Sequence, residues 1–418
     1  MTYQQALPIS DTAAAQRLHI KYESIVSTFI FMMLACSGIS IIEPSPYDFL
    51  ALITVPLWFF GGFRLHHSLM LILITWILYT IIGFIALTPY WHEPDPSLFQ
   101  LQSLFLLVTV GFFSVYFSER TETRVEIAMI GYTCSALLAA LVGIVGYMNI
   151  PGLGEFGTMY EGRASGTFKD PNVLGSFLIL AITFLVSKLL MGTTRRPILV
   201  SICLGIAVIG QFLTFSRGSW TASVLALLML SAFAYGRVAG PAMRKRIIVI
   251  GVTCVVLAIA GIAALLSDQS TRELLTLRAS VTQDYDVGET GRFGNQMRAI
   301  QTLLGKPEGF GPLRLRLTFQ LDPHNSYIGA FANFGWVGGF IWLFICSTTV
   351  FVGLRMMWRR SAIQHLAIGV VPAMCAMLLQ GFQIDVDHWR HVYIGFGVVW
   401  GLEAARQRWE FSRHQSAG

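Results

Sequence analysis

Long apolar runs separated by short polar breaks fill most of the chain, and twelve of them are long enough to cross a bilayer as helices. They cover 24–42, 47–63, 68–88, 99–118, 126–147, 172–190, 197–215, 218–236, 247–266, 327–354, 363–384 and 391–405. A spanning helix needs about 20 mostly apolar residues, because about 30 Å of hydrocarbon is crossed at about 1.5 Å per residue. The pattern predicts an all-α, polytopic integral membrane protein: one membrane domain over 1–418 with about 12 transmembrane helices. A single long loop, 267–326, is expected between the ninth and tenth predicted helices. The first 23 residues are polar and the first apolar run can stay in the bilayer, so no cleavable signal peptide is expected.

Composition agrees with that pattern. Hydrophobic residues make up 54% and charged residues 12%, with a mean hydropathy of +0.62. Soluble folds carry about 25% charged residues, so a cytosolic enzyme and a disordered tail are both excluded. Cys36, Cys134, Cys203, Cys254, Cys346 and Cys375 all lie in apolar runs without CxxC or Cys/His spacing and are expected as small core residues. A net charge of +6 would point to nucleic acid in a soluble chain. In a membrane chain basic loops report topology first, so no nucleic-acid partner is expected.

Placing the N-terminus in the cytoplasm puts 18 of the 29 Lys and Arg on the cytoplasmic side and seven in the long loop. Short outer loops then hold only four: Arg163, Lys169, Arg217 and Arg390. Both termini are therefore expected in the cytoplasm and the long loop in the periplasm. Arg217 stands out, because the Phe215-Ser216-Arg217-Gly218 turn joins two apolar helices near the interface, where charge is costly. It either snorkels to outer headgroups or joins other arginines around an anion.

Four outer segments carry candidate chemistry. Glu161 to Asn172 is a turn-rich loop in which Arg163 and Lys169 could hold phosphate oxygens and Asp170-Pro171-Asn172 reads as a helix start; the alternative is an ordinary capped loop. In the long loop, 270–280 and 295–304 show helical apolar spacing with Arg on one side, as in helices lying along a membrane surface. Between them stands Glu289-Thr290-Gly291-Arg292; Lys306 to Gly311 follows as a glycine turn. Asp322-Pro323-His324-Asn325-Ser326-Tyr327 puts a histidine at the re-entry to the membrane beside Asn325 and Asp322, either as a general base or as a structural anchor. Asp385 to His391 groups two carboxylates and two imidazoles, to be read as a polar cap or as a metal site.

Taken in order, Arg163 with Gly166, Phe168, Pro171 and Asn172, then Phe215 to Gly218, Gly291-Arg292, Gly309 to Gly311 and His324 to Tyr327 resemble the O-antigen ligase and polymerase superfamily of bacterial membrane glycosyltransferases, most of all the ligases. The resemblance implies an undecaprenyl diphosphate-linked glycan donor used at the periplasmic face of the inner membrane, without nucleotide, metal or other cofactor. The acceptor would be lipid A-core, in lipopolysaccharide biosynthesis, or a growing glycan if the chain is a polymerase. The family's two arginines and one histidine fall on Arg217, Arg292 and His324. From the residues themselves, Arg163 and Lys169 are further candidates for diphosphate contacts, and Asn325, Asp322 and Tyr327 for support. Membrane lipids are the remaining partners. A transporter or lipid flippase is the competing class, but no internal repeat is evident and ionisable residues are nearly absent from the apolar segments.

Overall fold

The computed structural model describes residues 9–150, 159–160, 162–238, 240–265, 269, 272–273, 288, 291–319 and 324–417. Helices form at all twelve expected places: α1 (Ile9–Ala35), α2 (Pro46–Phe60), α3 (Met70–Leu87), α4 (Pro94–Tyr116), α5 (Thr121–Tyr147), α6 (Pro171–Met191), α7 (Pro197–Phe212), α8 (Arg217–Phe233) and α9 (Pro241–Leu265), then α12 (Ser326–Trp358), α13 (Gln364–Gln380) and α14 (Arg390–Ala417). Two shorter helices, α10 (Arg292–Leu304) and α11 (Leu315–Phe319), lie between α9 and α12. The one sheet among the described residues is a two-stranded antiparallel hairpin, β1 (Met159–Tyr160) with β2 (Arg163–Ala164). Among the described residues six helices, namely α3 to α6, α8 and α12, are long and apolar enough to cross a membrane, while α2, α7 and α13 are apolar but shorter. The chain is an integral membrane protein by these helices, whose outer flanks expose Phe60, Leu71, Ile198 and Phe351.

Sequence signals set the helix boundaries. Proline stands in the first turn of α2, α4, α6 and α7, where its missing N–H costs nothing. The Asp170 carboxylate accepts from the Asn172 amide at 2.7 Å, so α6 starts where Asp-Pro-Asn predicts. At the centre α6 packs on α5, α7, α8 and α13 and is buried along almost its whole length. Around it α14 packs on α4, α1 on α5 and α12 on α3, with an aromatic cluster of Trp76, Tyr79, Trp342 and Phe396 under the last pair. Cys346 and Cys375 are buried as expected, whereas Cys134 faces outward from α5.

Polar contacts sort to the two ends of the bundle. Where α1, α3, α5, α7, α9 and α13 finish, here termed the upper end, lie Lys169 with Glu43, Arg314 with Glu93, Arg316 with Asp95 and Arg390 with Asp48. At the opposite, lower end lie Arg124 with Glu23, Lys188 with Glu126, and Glu403 with Arg355 and Arg406. This alternation of chain direction is the pattern expected of successive crossings. The upper end corresponds to the side the charge count assigns to the periplasm.

The expected tenth helix carries a break the hydrophobic pattern did not indicate. Gly335 (φ +67°) interrupts α12, and the Lys306 to Gly311 turn docks into the gap. There the Phe310 amide donates to the Ala332 carbonyl at 2.7 Å and the Trp336 amide to the Pro307 carbonyl at 2.8 Å. A Cβ on Gly335 would stand 2.5 Å from the Pro307 oxygen, and one on Gly309 would stand 2.7 Å from the Gly335 nitrogen. The glycine turn therefore fastens the loop segment to α12 by direct backbone contact.

Candidate functional site

Three helices at the upper end begin with the residues singled out above. Arg217 is the first residue of α8 after the N-cap Ser216, whose hydroxyl accepts from the Ser219 amide. Arg292 is the first residue of α10 after the N-cap Gly291. His324 directly precedes Asn325, the N-cap of α12, whose side-chain oxygen accepts from the Tyr327 and Ile328 amides at 3.0 and 3.1 Å. A helix N-terminus carries a partial positive charge, so a cation in the first turn is disfavoured by about 0.3–1 kcal/mol. Neither α8 nor α10 has an acidic residue in its first turn to offset its arginine. Guanidinium groups added to helix N-termini make these positions suited to anions.

Two of these three helix starts carry a left-handed residue, and Arg120, Asn149 and Leu313 are left-handed elsewhere. Phe215, two residues before Arg217, has φ +45°, and His324 has φ +46°. Left-handed conformations are uncommon for residues other than glycine, and strain of this kind collects at functional sites.

A short turn, Gly381 to Asp385, links the α8 start to His324. A Cβ on Gly218 would lie 3.4 Å from the Gln383 side-chain oxygen and 3.5 Å from the Gln380 amide nitrogen, so the turn sits against the α8 N-terminus. On its other side Asn325 donates from its side chain to the Phe382 carbonyl at 3.0 Å, and the Ser326 amide donates to the Gly381 carbonyl at 2.8 Å. Tyr327 stacks on Phe382 with ring centroids 4.2 Å apart and donates its hydroxyl proton to the Leu378 carbonyl. From α10, the Gln296 side chain reaches the His324 carbonyl at 3.4 Å. Buried Ala299 and Leu303 of α10 pack with Ile328 and Ala332 of α12, fixing the arginine-bearing helix against the histidine-bearing one.

The His324 imidazole has a carboxylate beside it that local sequence reading did not pair with it. Asp385 Oδ2 lies 3.5 Å from His324 Nδ1, and its Oδ1 accepts from the Asn325 amide at 2.9 Å. Desolvation raises the Asp385 carboxyl from its ordinary value even though its side chain stays 37% exposed; His324 and the Asn325 amide pull the other way, and Asp387 adds to the rise. Asp322, expected to orient His324, lies outside the described residues, as do Glu289 and Thr290. Of the 270–280 stretch only residues 272–273 are described, as helix, while 295–304 lies within α10.

Arg163, Lys169 and Arg390, the other cations of the short outer loops, contact neighbouring protein groups. Arg163, 7% exposed, donates from Nε to the Thr214 carbonyl at 2.8 Å and from an Nη to the Asn172 side chain at 3.0 Å. With the Ala164 amide on the Leu213 carbonyl at 2.9 Å, it ties β2 to the turn that carries Arg217. Lys169 pairs with Glu43 at 3.0 Å on the surface. Arg390 grips Asp48 with two hydrogen bonds, at 3.1 and 2.7 Å.

The Asp385 to His391 cluster also divides among separate partners. His388 bonds Asp387 and the Ser103 hydroxyl, His391 meets the Ser176 hydroxyl at 3.2 Å, and Asp385 serves His324. Among the described residues no group of three or more His, Cys, Asp and Glu side chains is placed to hold a metal ion.

Residues 199–343, which include Arg217, Arg292 and His324, match the family described as O-antigen ligase. Over that segment the chain is similar to the O-antigen ligase family. Members of this superfamily are glycosyltransferase-like membrane enzymes. The match starts within α7 and ends within α12, so it leaves the Arg163 loop and the Asp385 turn to the flanking sequence. No curated protein matches the chain.

Proposed function

We propose that the segment similar to O-antigen ligases and the helices around it form a glycosyltransferase that moves a glycan from undecaprenyl diphosphate onto a lipid A-core acceptor. The reaction would take place at the periplasmic face of the bacterial inner membrane. The observation that supports the reading is that the α8 start, which carries Arg217, and α10, which carries Arg292, both approach the segment around His324, a histidine paired with a carboxylate. A diphosphate on a long prenyl chain presents its charge at the membrane surface, where twelve crossings would hold these helix starts. The exposed apolar stripe of α10, Phe293, Met297, Ile300 and Leu304, suits a helix resting on that surface.

In this reading His324 accepts the proton of the acceptor hydroxyl as its oxygen bonds to the anomeric carbon. The bond from that carbon to the diphosphate oxygen breaks, and its electron pair leaves on the diphosphate. Arg217 and Arg292 stabilise the charge gathering there. Asp385 holds the imidazole with Nδ1 protonated, leaving Nε2 as the base. Arg163 serves from behind, as a buried strut for the Arg217 turn, and Lys169 stands further out on the surface. Diphosphate is already a good leaving group, so the step needs no separate acid, and the proposed chemistry uses no metal or cofactor.

Gene deletion with analysis of envelope glycans tests the assignment. Loss of a ligase leaves bare core lipid and polymer accumulating on its polyprenyl carrier. Core capped by a single repeat unit would identify a polymerase instead, and unchanged glycans would overturn both.

A further inference from the structure

The transfer reaction fixes where the donor's first sugar must sit. Its anomeric carbon lies between the departing diphosphate and the attacking hydroxyl, hence between the arginine-bearing helix starts and His324. The Gly381 to Asp385 turn borders the α8 side of that interval, with Gln383 lying against the α8 N-terminus and Asp385 against His324. Two of its side chains are exposed, Phe382 at 51% and Gln383.

Phe382 is held as a platform. Tyr327 backs its ring at 4.2 Å and 30°, and Tyr327 is itself anchored through its hydroxyl to the Leu378 carbonyl. The Phe382 carbonyl is fixed by Asn325, and the Gln383 backbone N–H donates to the Gln380 carbonyl at 2.8 Å, leaving its side-chain amide to face outward. A pyranose offers a face of C–H groups that packs on the electron-rich face of an aromatic ring, and hydroxyls around its edge that need hydrogen-bond partners. We infer that Phe382 and Gln383 form the seat of the first donor sugar, Phe382 under the ring face and the Gln383 amide at its hydroxyls. The inference rests on the proposed transfer reaction and adds the residues that distinguish a sugar-bearing carrier from the bare one. Phe382 as an interfacial anchor in lipid is the competing role, and leucine would serve that role as well as phenylalanine.

The test measures binding of two probes to the full-length protein in lipid nanodiscs: undecaprenyl diphosphate alone, and the glycan-bearing carrier extracted from cells lacking the protein. Wild type is expected to prefer the glycan-bearing carrier. Phe382→Leu should reduce that preference by about three- to tenfold without changing affinity for the bare carrier, and Phe382→Tyr should keep it within about twofold. Equal weakening of both probes in Phe382→Leu, or no weakening of either, would overturn the inference and leave the transfer reaction standing. Wild type that binds neither probe would overturn the transfer reaction, and the sugar seat with it.

Discussion

Both ends of the helix bundle pair charges, but the most deeply buried pairs lie at the lower end. At the lower end the ionic groups neutralise one another inside the protein. The Glu403 carboxylate, whose residue is 1% exposed, receives hydrogen bonds from Arg355, Arg406 and Gln407, and Arg124 spans the Glu23 carboxylate and the Tyr116 carbonyl. At the upper end Arg390 is treated the same way by Asp48, although it too begins a helix. Arg217 and Arg292 also begin helices, in first turns that contain no acid. A cation placed against the helix dipole is a local cost, and such costs persist where a ligand repays them. Under the proposed reaction Arg217 and Arg292 would meet the donor diphosphate, whereas Arg124, Arg390 and Arg406 hold the fold together.

The largest expected effect breaks the upper end. His324→Ala should lower turnover by about 10²- to 10⁴-fold while donor binding and folding stay near wild type, as expected for removal of a general base. A structural anchor would behave otherwise, losing stability and donor affinity together with rate. Donor affinity and single-turnover rate, measured on one purified variant, decide between them.

The lower end should fail in the opposite manner. Glu403→Ala leaves Arg406 buried without its main counter-charge, a change that typically costs about 3–5 kcal/mol. Thermal unfolding in detergent should show the loss, while correctly folded molecules keep their turnover. A variant that lost turnover at unchanged stability would move this network from scaffold to mechanism.

Arg217→Ala and Arg292→Ala come next. Each should remove charge-assisted contacts of about 1.5–3 kcal/mol, roughly 10- to 150-fold in transfer rate. Lysine should rescue only in part, because a point charge cannot reproduce the planar fork. Arg390→Ala is the control: it should lower stability and leave the rate of folded enzyme alone. Full activity in both Ala variants at normal expression would remove the two arginines from the site.

Most of the fold was legible in the chain, because its apolar helices declare themselves by local apolar runs, several with proline or a capping side chain at the start. Prolines at the helix starts and Asp170 as N-cap need no long-range information. The break at Gly335 was not legible, since its cause is the Pro307 to Gly311 turn arriving from an earlier part of the chain. The site divides similarly. Arg217, Arg292 and His324 could be singled out from charge placement and motif order, but Arg163 reads as a phosphate contact in sequence and has protein partners on two of its donors in the structure. Asp385 was visible only as part of an ambiguous acidic and histidine-rich cluster. Its pairing with His324 joins residues 61 positions apart, a proximity that α12 and α13 create by packing together.

Replacement of Asp385 gives the smallest of these effects and the finest test. In Asp385→Asn the amide oxygen can still accept from the Asn325 backbone, but the amide nitrogen faces His324 Nδ1 where a carboxylate oxygen stood. The imidazole then favours protonation at Nε2, the atom that has to be bare to act as base. Turnover should fall by about tenfold, the value of one charge-assisted hydrogen bond on a partly exposed pair. Stability should move the other way. Desolvation raises the Asp385 carboxyl in the folded state, so its ionisation favours the unfolded chain; the contribution, small because the side chain is 37% exposed, is present at low pH and lost as pH rises through the raised value. A permanently neutral Asn escapes that loss. The variant's melting temperature should therefore match or exceed wild type at about pH 7, with the gap closing as pH falls toward about 4. Slower turnover in a protein at least as stable would mark Asp385 as a residue that positions the base. A variant less stable at neutral pH and equally fast would make the His324 contact a matter of folding alone.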